Sequence, residues 1–168
     1  MKVLAIDPGF ERVGIAVIER TSLKKDALVY SECFKTSSKI PFPERLNNIG
    51  TELEKIIKKY KPEALAIEKL YFTTNQKTVM GVSEARGMIL YIASKNNLLI
   101  HEYTPPQIKV AVTGYGRASK EMILSMVPKL IDISENINSD DELDAIAIGL
   151  TCLACEKVIH RGNVLQRK

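Results

Sequence analysis

The sequence predicts an α/β protein, a mixed sheet of five strands flanked by helices, in one domain spanning residues 1–168. Three observations predict it. The chain opens on two apolar runs joined by a tight turn, its middle alternates strand, helix and strand, and its last third carries helical patterning. Strand–helix–strand units imply parallel pairing through right-handed crossovers, whereas the opening hairpin is antiparallel, so the sheet is mixed.

Val3, Leu4, Ala5 and Ile6 form a run of the kind buried on both faces of a sheet. It closes on Asp7-Pro8-Gly9, a carboxylate followed by a turn dipeptide, and resumes over residues 13–18 as the second arm of the hairpin. Residues 27–36 read as a third, half-buried strand. Pro41 and Pro43 then open a helix whose apolar positions, Leu46, Ile49, Leu53, Ile56, Ile57 and Tyr60, share one face. Lys58, Lys59 and Lys61 suit the negative end of its dipole, and Pro62 stops it. Residues 64–68 make another short buried strand, again ending in a carboxylate. A loop from Lys69 to Thr74 leads into a long helix over residues 76–95, and residues 98–103 supply the fifth strand. Helices follow at 105–112, 119–130 and 140–158, with the loop 113–117 between the first two.

A hydrophobic content of 45% and a charged content of 26% are those of a globular chain, and its length suffices for a core without disulfide or metal staples. No run approaches the roughly 18 apolar residues of a membrane span. Asp7 interrupts the only stretch resembling an export signal, so a cytoplasmic protein with its three cysteines reduced is expected. Cys152 and Cys155 form a C-x-x-C inside an apolar helical pattern with no second pair, which favours packing over zinc. His101 and His160 lack companions at ligand spacing. Metal chemistry in this chain therefore rests on oxygen ligands.

Asp7 and Glu68 each close a buried strand at its C-terminal end, where open α/β sheets place their ligand sites. Ser139 and Glu142 fit a capping box that fixes where the last helix begins, leaving Asp141 and Asp144 three apart on one face of its first turn. Each acid has a plain structural explanation, Asp7 as a turn-former and the helical pair as partners of the dipole. Their combination argues for more. Two carboxylates about 4 Å apart repel by roughly 4 kcal/mol at an effective dielectric near 20. A convergent set of four requires cations or shifted pKa values, and all-oxygen ligands favour Mg²⁺, or Mn²⁺, over zinc. Paired ions of this type serve phosphodiester hydrolysis. The net charge of +4 conceals a larger imbalance, because setting these four acids aside leaves 24 basic against 16 acidic residues. A basic body around an acidic pocket suits a polyanion.

The run AIDPGFERVGIAVI, the segment AIEKLYF, the intervening SEARG and the closing DELDAIAIG resemble the RuvC family of Holliday-junction resolvases, in the right order over nearly the whole chain. The resemblance implies an RNase H-like fold and a homodimeric, Mg²⁺-dependent endonuclease that cuts two opposed strands of four-way junction DNA symmetrically. It also implies a branch-migration complex of RuvA and RuvB type as partner. The family's four catalytic, metal-binding carboxylates fall on Asp7, Glu68, Asp141 and Asp144. Asp140 is the neighbouring acid, but only 141 with 144 keeps the spacing of three. Ser83 stands where the family commonly has a glycine.

Residues expected to hold DNA are Tyr71, Phe72, Lys109, Gly114, Arg117 and Lys120. Tyr71 matches the family's aromatic position, and exposed aromatics there suit stacking on bases of an opened junction; Phe72 serves equally well as a core plug. Lys109 and Lys120 match basic positions the family uses against phosphates, with Gly114 and Gly116 permitting close backbone approach and Arg117 adding charge. Lys120 begins a helix, where a cation opposes the dipole, which argues against a structural role. Arg86 suits either DNA or an internal acid. Small residues along the long helix, Gly81, Ala85 and Gly87, suit core packing or a close partner. Three other readings compete: a YqgF-type nuclease, which needs a D-E-R motif in mid-chain; an actin-like ATP-binding protein, which needs about twice the length; and a non-cleaving junction binder, which is expected to lack one of the acids.

Overall fold

Alternation of large and small apolar residues along the first strands decides how this chain layers. In the computed structural model, which describes residues 1–21, 26–70, 76–133, 137 and 139–165 (76–78 and those beyond 156 as backbone only), β1 (Lys2–Asp7), β2 (Arg12–Glu19) and β3 (Asp26–Lys35) follow one another antiparallel. Then come α1 (Phe42–Tyr60), β4 (Ala64–Glu68), α2 (Gln76–Lys95), β5 (Leu99–Tyr103), α3 (Pro105–Thr113), α4 (Lys120–Leu130), β6 (Ile131–Asp132) and α5 (Asp140–Leu165). The sheet runs β5-β4-β1-β2-β3-β6, with β4 parallel to both β1 and β5.

The sheet is mixed as expected, but it has six strands and not five. The addition is β6, which pairs in parallel with the start of β3 through Asp26↔Ile131 and Ala27↔Asp132. Two residues are too few to leave a periodic signal, and the pairing forms because α4 delivers the fully buried Ile131 to the sheet edge. The last helix also continues to Leu165, beyond the expected end at 158, in a stretch with no glycine or proline stop before Gly162.

Side chains alternate across a strand, so each strand feeds two cores. Leu4, Ile6, Val13, Ile15, Val17, Leu65 and Ile67 face α1 and α2, packing with Ile49, Leu53, Ile56 and Ile89. Val3, Ala5, Ala16, Ile18 and Ala66 face the other way, against Ala145, Ile146 and Ile148 of α5 and residues of α3 and α4. Small residues on that second face let α5 lie close. A Cβ added to Gly149 would stand 2.6 Å from Ile18 and 3.0 Å from Ala5.

Helix ends follow local chemistry. Thr104 caps α3 in a reciprocal box with Gln107, Ser119 caps α4 by accepting from the Met122 amide, and α3 ends on Gly114 at φ 76°. On α2, Ala85 is buried and Gly81 abuts the Phe10 ring, so these two small residues serve packing. No helix among the described residues is long and apolar enough to cross a membrane.

Candidate active site

The two-residue period places the first two acids. Asp7 follows Val3 and Ala5 on the α5 face of β1, and Glu68 follows Ala66 on the same face of β4. The strands pair in parallel with Ile6 opposite Ile67, so both carboxylates leave the sheet side by side at its C-terminal edge.

The helical acids reach them through a gap in β2. Gly14 pairs with Asp7 on one side and Cys33 on the other, and a Cβ there would stand 2.0 Å from the backbone oxygen of Asp141 and 3.2 Å from Asp7 Cβ. The first turn of α5 therefore sits directly on the sheet above a missing side chain. Ser139 accepts from the Glu142 amide at 3.3 Å, and Ser31 on β3 donates to Glu142 at 2.8 Å, which anchors that turn from the sheet side.

Electrostatics report the convergence. Burial, then the carboxylates of Asp144, Glu68 and Asp141, push Asp7 from 3.8 to about 7. Glu68 is raised by burial and by Asp144. Asp144 is raised by burial, with Lys120 opposing from 3.2 Å. Asp141 behaves differently: burial pushes it up, but Arg12 and Cys33 outweigh burial and hold it below the ordinary value. Arg12 Nε donates to Asp141 Oδ2 at 2.8 Å, Arg12 Nη2 donates to the same oxygen, and Cys33 Sγ lies 3.3 Å from it. Asp140 points outward, with its side chain 63% exposed and 3.6 Å from Lys120, so the acids spaced three apart are the pair that meets Asp7.

Among the described residues no three acid, thiol or imidazole groups are already gathered at ligand distance from one point. Protein cations hold two of the acids, Arg12 on Asp141 and Lys120 on Asp144. The donor set nevertheless fits a divalent cation. It is all oxygen, and burial together with the excess of negative charge lifts Asp7 to about 7, a burden that a cation would offset.

Beside the acids lies a cavity of about 210 Å³ lined by Glu68, Asp144, Lys109 and Lys120 together with the apolar Ile108, Ile123 and Ile148. Two of the expected DNA-binding lysines thus border the acids. Gly114 and Arg117 are exposed on the α3–α4 connection. Tyr71 and Phe72 lie outside the described residues. Lys120, half exposed, also pairs with Asp144, because the acids of α5 pack against the start of α4 despite the unfavourable dipole of its own helix. Arg86 takes the internal option, donating to Glu102 and, at 3.2 Å, to the carbonyl of Glu68. Sequence reasoning passed over Arg12, Cys33 and Gly14. A lone glycine inside a strand pattern is a sign of close backbone approach and was the available signal for Gly14; Arg12 and Cys33 left none.

A family model described as "Crossover junction endodeoxyribonuclease RuvC" matches residues 3–152, a span that includes all four acids. This chain belongs to the RuvC family. The RuvC protein of Fusobacterium nucleatum is 43% identical over 90% of this chain and 79% of its own length. That of Caldicellulosiruptor saccharolyticus is 42% identical over 97% and 99%. The structure of T. thermophilus RuvC in complex with Holliday junction substrate superposes with a TM-score of 0.83 at 32% identity, covering 90% of this chain and 92% of that one. The yeast mitochondrial Holliday junction resolvase Ydc2 shares the fold, with a TM-score of 0.72 at 14% identity. As a RuvC family member this chain is a crossover junction endodeoxyribonuclease, and its sheet flanked by helices is the RNase H-like fold expected.

Proposed function

We propose that this protein resolves four-way DNA junctions with Asp7, Glu68, Asp141 and Asp144 as the ligands of two Mg²⁺ ions, Mn²⁺ being the natural substitute. The observation that carries this reading is the elevation of Asp7 by burial and by three other carboxylates, brought to it from two distant parts of the chain, β4 and the start of α5. When bound, paired divalent cations activate a water and steady charge on the attacking and leaving oxygens of an in-line displacement. The chain's own groups supply the rest. Buried strands fix Asp7 and Glu68, so those carboxylates need little reorganisation. Lys109 and Lys120 line the cavity that Glu68 and Asp144 also line, where they reach phosphates flanking the scissile bond. Lys120 then exchanges Asp144 for phosphate. Hydrolysis leaves a 5′-phosphate and a 3′-hydroxyl.

Residues 1–168 act as one nuclease domain, with two copies cutting opposed strands. The exposed apolar side chains Tyr91 on α2 and Leu99 and Ile100 on the neighbouring edge strand β5 support self-association. A branch-migration complex of RuvA and RuvB type is the expected working partner, in the cytoplasm.

Cleavage of a synthetic four-way junction, with and without Mg²⁺, tests the reading. Wild-type protein is expected to cut only with the metal, and Asp7→Asn to bind the junction without cutting it. Wild-type rates from Asp7→Asn would overturn the assignment.

A further inference from the structure

Arg12 opens β2 and grips an acid that lies on another element, far along the chain. Its Nε donates to Asp141 Oδ2 at 2.8 Å, and its Nη2 donates to that same oxygen. The Cys33 thiol donates there too, at 3.3 Å from β3. Three donors thus meet on Oδ2, and Oδ1 takes none of them. The main chain of Asp141 is equally constrained, because its carbonyl oxygen rests where a Cβ of Gly14 would need to be. With the backbone seated and one carboxylate oxygen held by a planar fork, the orientation of the side chain is set before any ligand arrives.

We propose that Arg12 is a positioning residue, holding Asp141 through Oδ2 so that Oδ1 alone faces the divalent cations of the active site. The proposal rests on the metal reading given above. Metal-ligating carboxylates depend on such outer partners for their orientation. Arginine suits the task because its donors are fixed in one plane, whereas a lysine ammonium is a rotating point charge. Folding does not require the pair, since Arg12 is 52% exposed and ion pairs open to water contribute little stability.

The test compares Arg12→Gln, Arg12→Lys and Asp141→Asn with wild type. It reads Mn²⁺ binding without DNA, junction binding, and single-turnover cleavage across Mg²⁺ concentrations. Thermal melts confirm that each variant is folded. For Arg12→Gln the affinity for Mn²⁺ is expected to fall by roughly 10–100-fold, the Mg²⁺ demand of cleavage to rise in parallel, and junction binding to stay unchanged. Arg12→Lys should recover part of the loss. Unchanged or tighter Mn²⁺ binding in Arg12→Gln, alongside a clear loss in Asp141→Asn, overturns the proposal while leaving the metal reading intact. So does weakened junction binding with unaltered metal dependence, which would make Arg12 a phosphate contact. If Asp141→Asn itself leaves Mn²⁺ binding untouched, the assignment of Asp141 as a ligand falls, and the role of Arg12 falls with it.

Discussion

The carbonyl oxygen of Asp141 fills the space that a side chain at Gly14 would need, with a Cβ there only 2.0 Å away. Gly14 sits between Asp7 and Cys33 in the sheet, so its missing side chain sets the depth at which α5 meets β1 and β2. Helix and sheet deliver their acids to one place because this contact is so close.

Gly14→Ala therefore should push the first turn of α5 away from the sheet. Loss of about 1–3 kcal/mol of stability is expected from overpacking alone, and the loss of cleavage should be far larger. Urea melts and junction cleavage read the two effects. A variant that melts and cuts like wild type would show that the helix adjusts without disturbing the acids.

Asp7 makes the metal-free protein sensitive to pH. Its folded value of about 7 lies above the ordinary 3.8, so between those values the native state holds a proton that the unfolded chain has released. Its contribution to stability is complete below pH 3.8 and disappears as pH rises through 7. Without divalent cations, Asp7→Asn should thus be more stable than wild type at pH about 8, by an amount of order 2–4 kcal/mol, and equal to it near pH 4. Denaturant titrations at both values check this, and equal stability at the higher pH would contradict it. Added Mg²⁺ should close the gap by stabilising wild type.

Lys120 is half exposed and 3.2 Å from Asp144. Replacement by alanine is expected to change stability by less than about 1 kcal/mol. The slope of log junction affinity against log salt should fall by about one if the ammonium contacts a phosphate. Lys109→Ala carries the same expectation, and an unaltered slope in both would return these lysines to ordinary surface roles.

Arg86, by contrast, is largely buried and donates to the carbonyl of Glu68 at 3.2 Å. Its removal leaves that carbonyl and Glu102 without their partner, which should cost about 1–3 kcal/mol. Because Glu68 shares the affected residue, Arg86→Ala is expected to slow cleavage more than it weakens junction binding. Equal losses in both would mean that the arginine supports the fold generally.

Much of the site could be read from linear patterning. Asp7 and Glu68 announce themselves as carboxylates at the ends of buried runs, and Ser139 with Glu142 marks where α5 begins. These are local features, governed by periods and caps acting over a few residues. The pairing of Lys120 with Asp144 was not legible, because the dipole of its own helix is local, whereas its acidic partners belong to a helix that packs against it only after folding. The two-residue strand β6 was missed because it exists only as a pairing with β3.

By itself, then, the sequence determined the order of the five longer strands and the helices, the mixed character of the sheet and where the candidate acids stand along those elements. Side-chain period, turn residues and caps all operate along the chain, so no fold is needed to read them. Only the tertiary structure decided that Asp141 rests on Gly14, that Arg12 and Cys33 hold one of its oxygens, and that burial among carboxylates lifts Asp7. Those relations join residues far apart in the chain, and their strength depends on distance and on exclusion of water, which folding alone establishes.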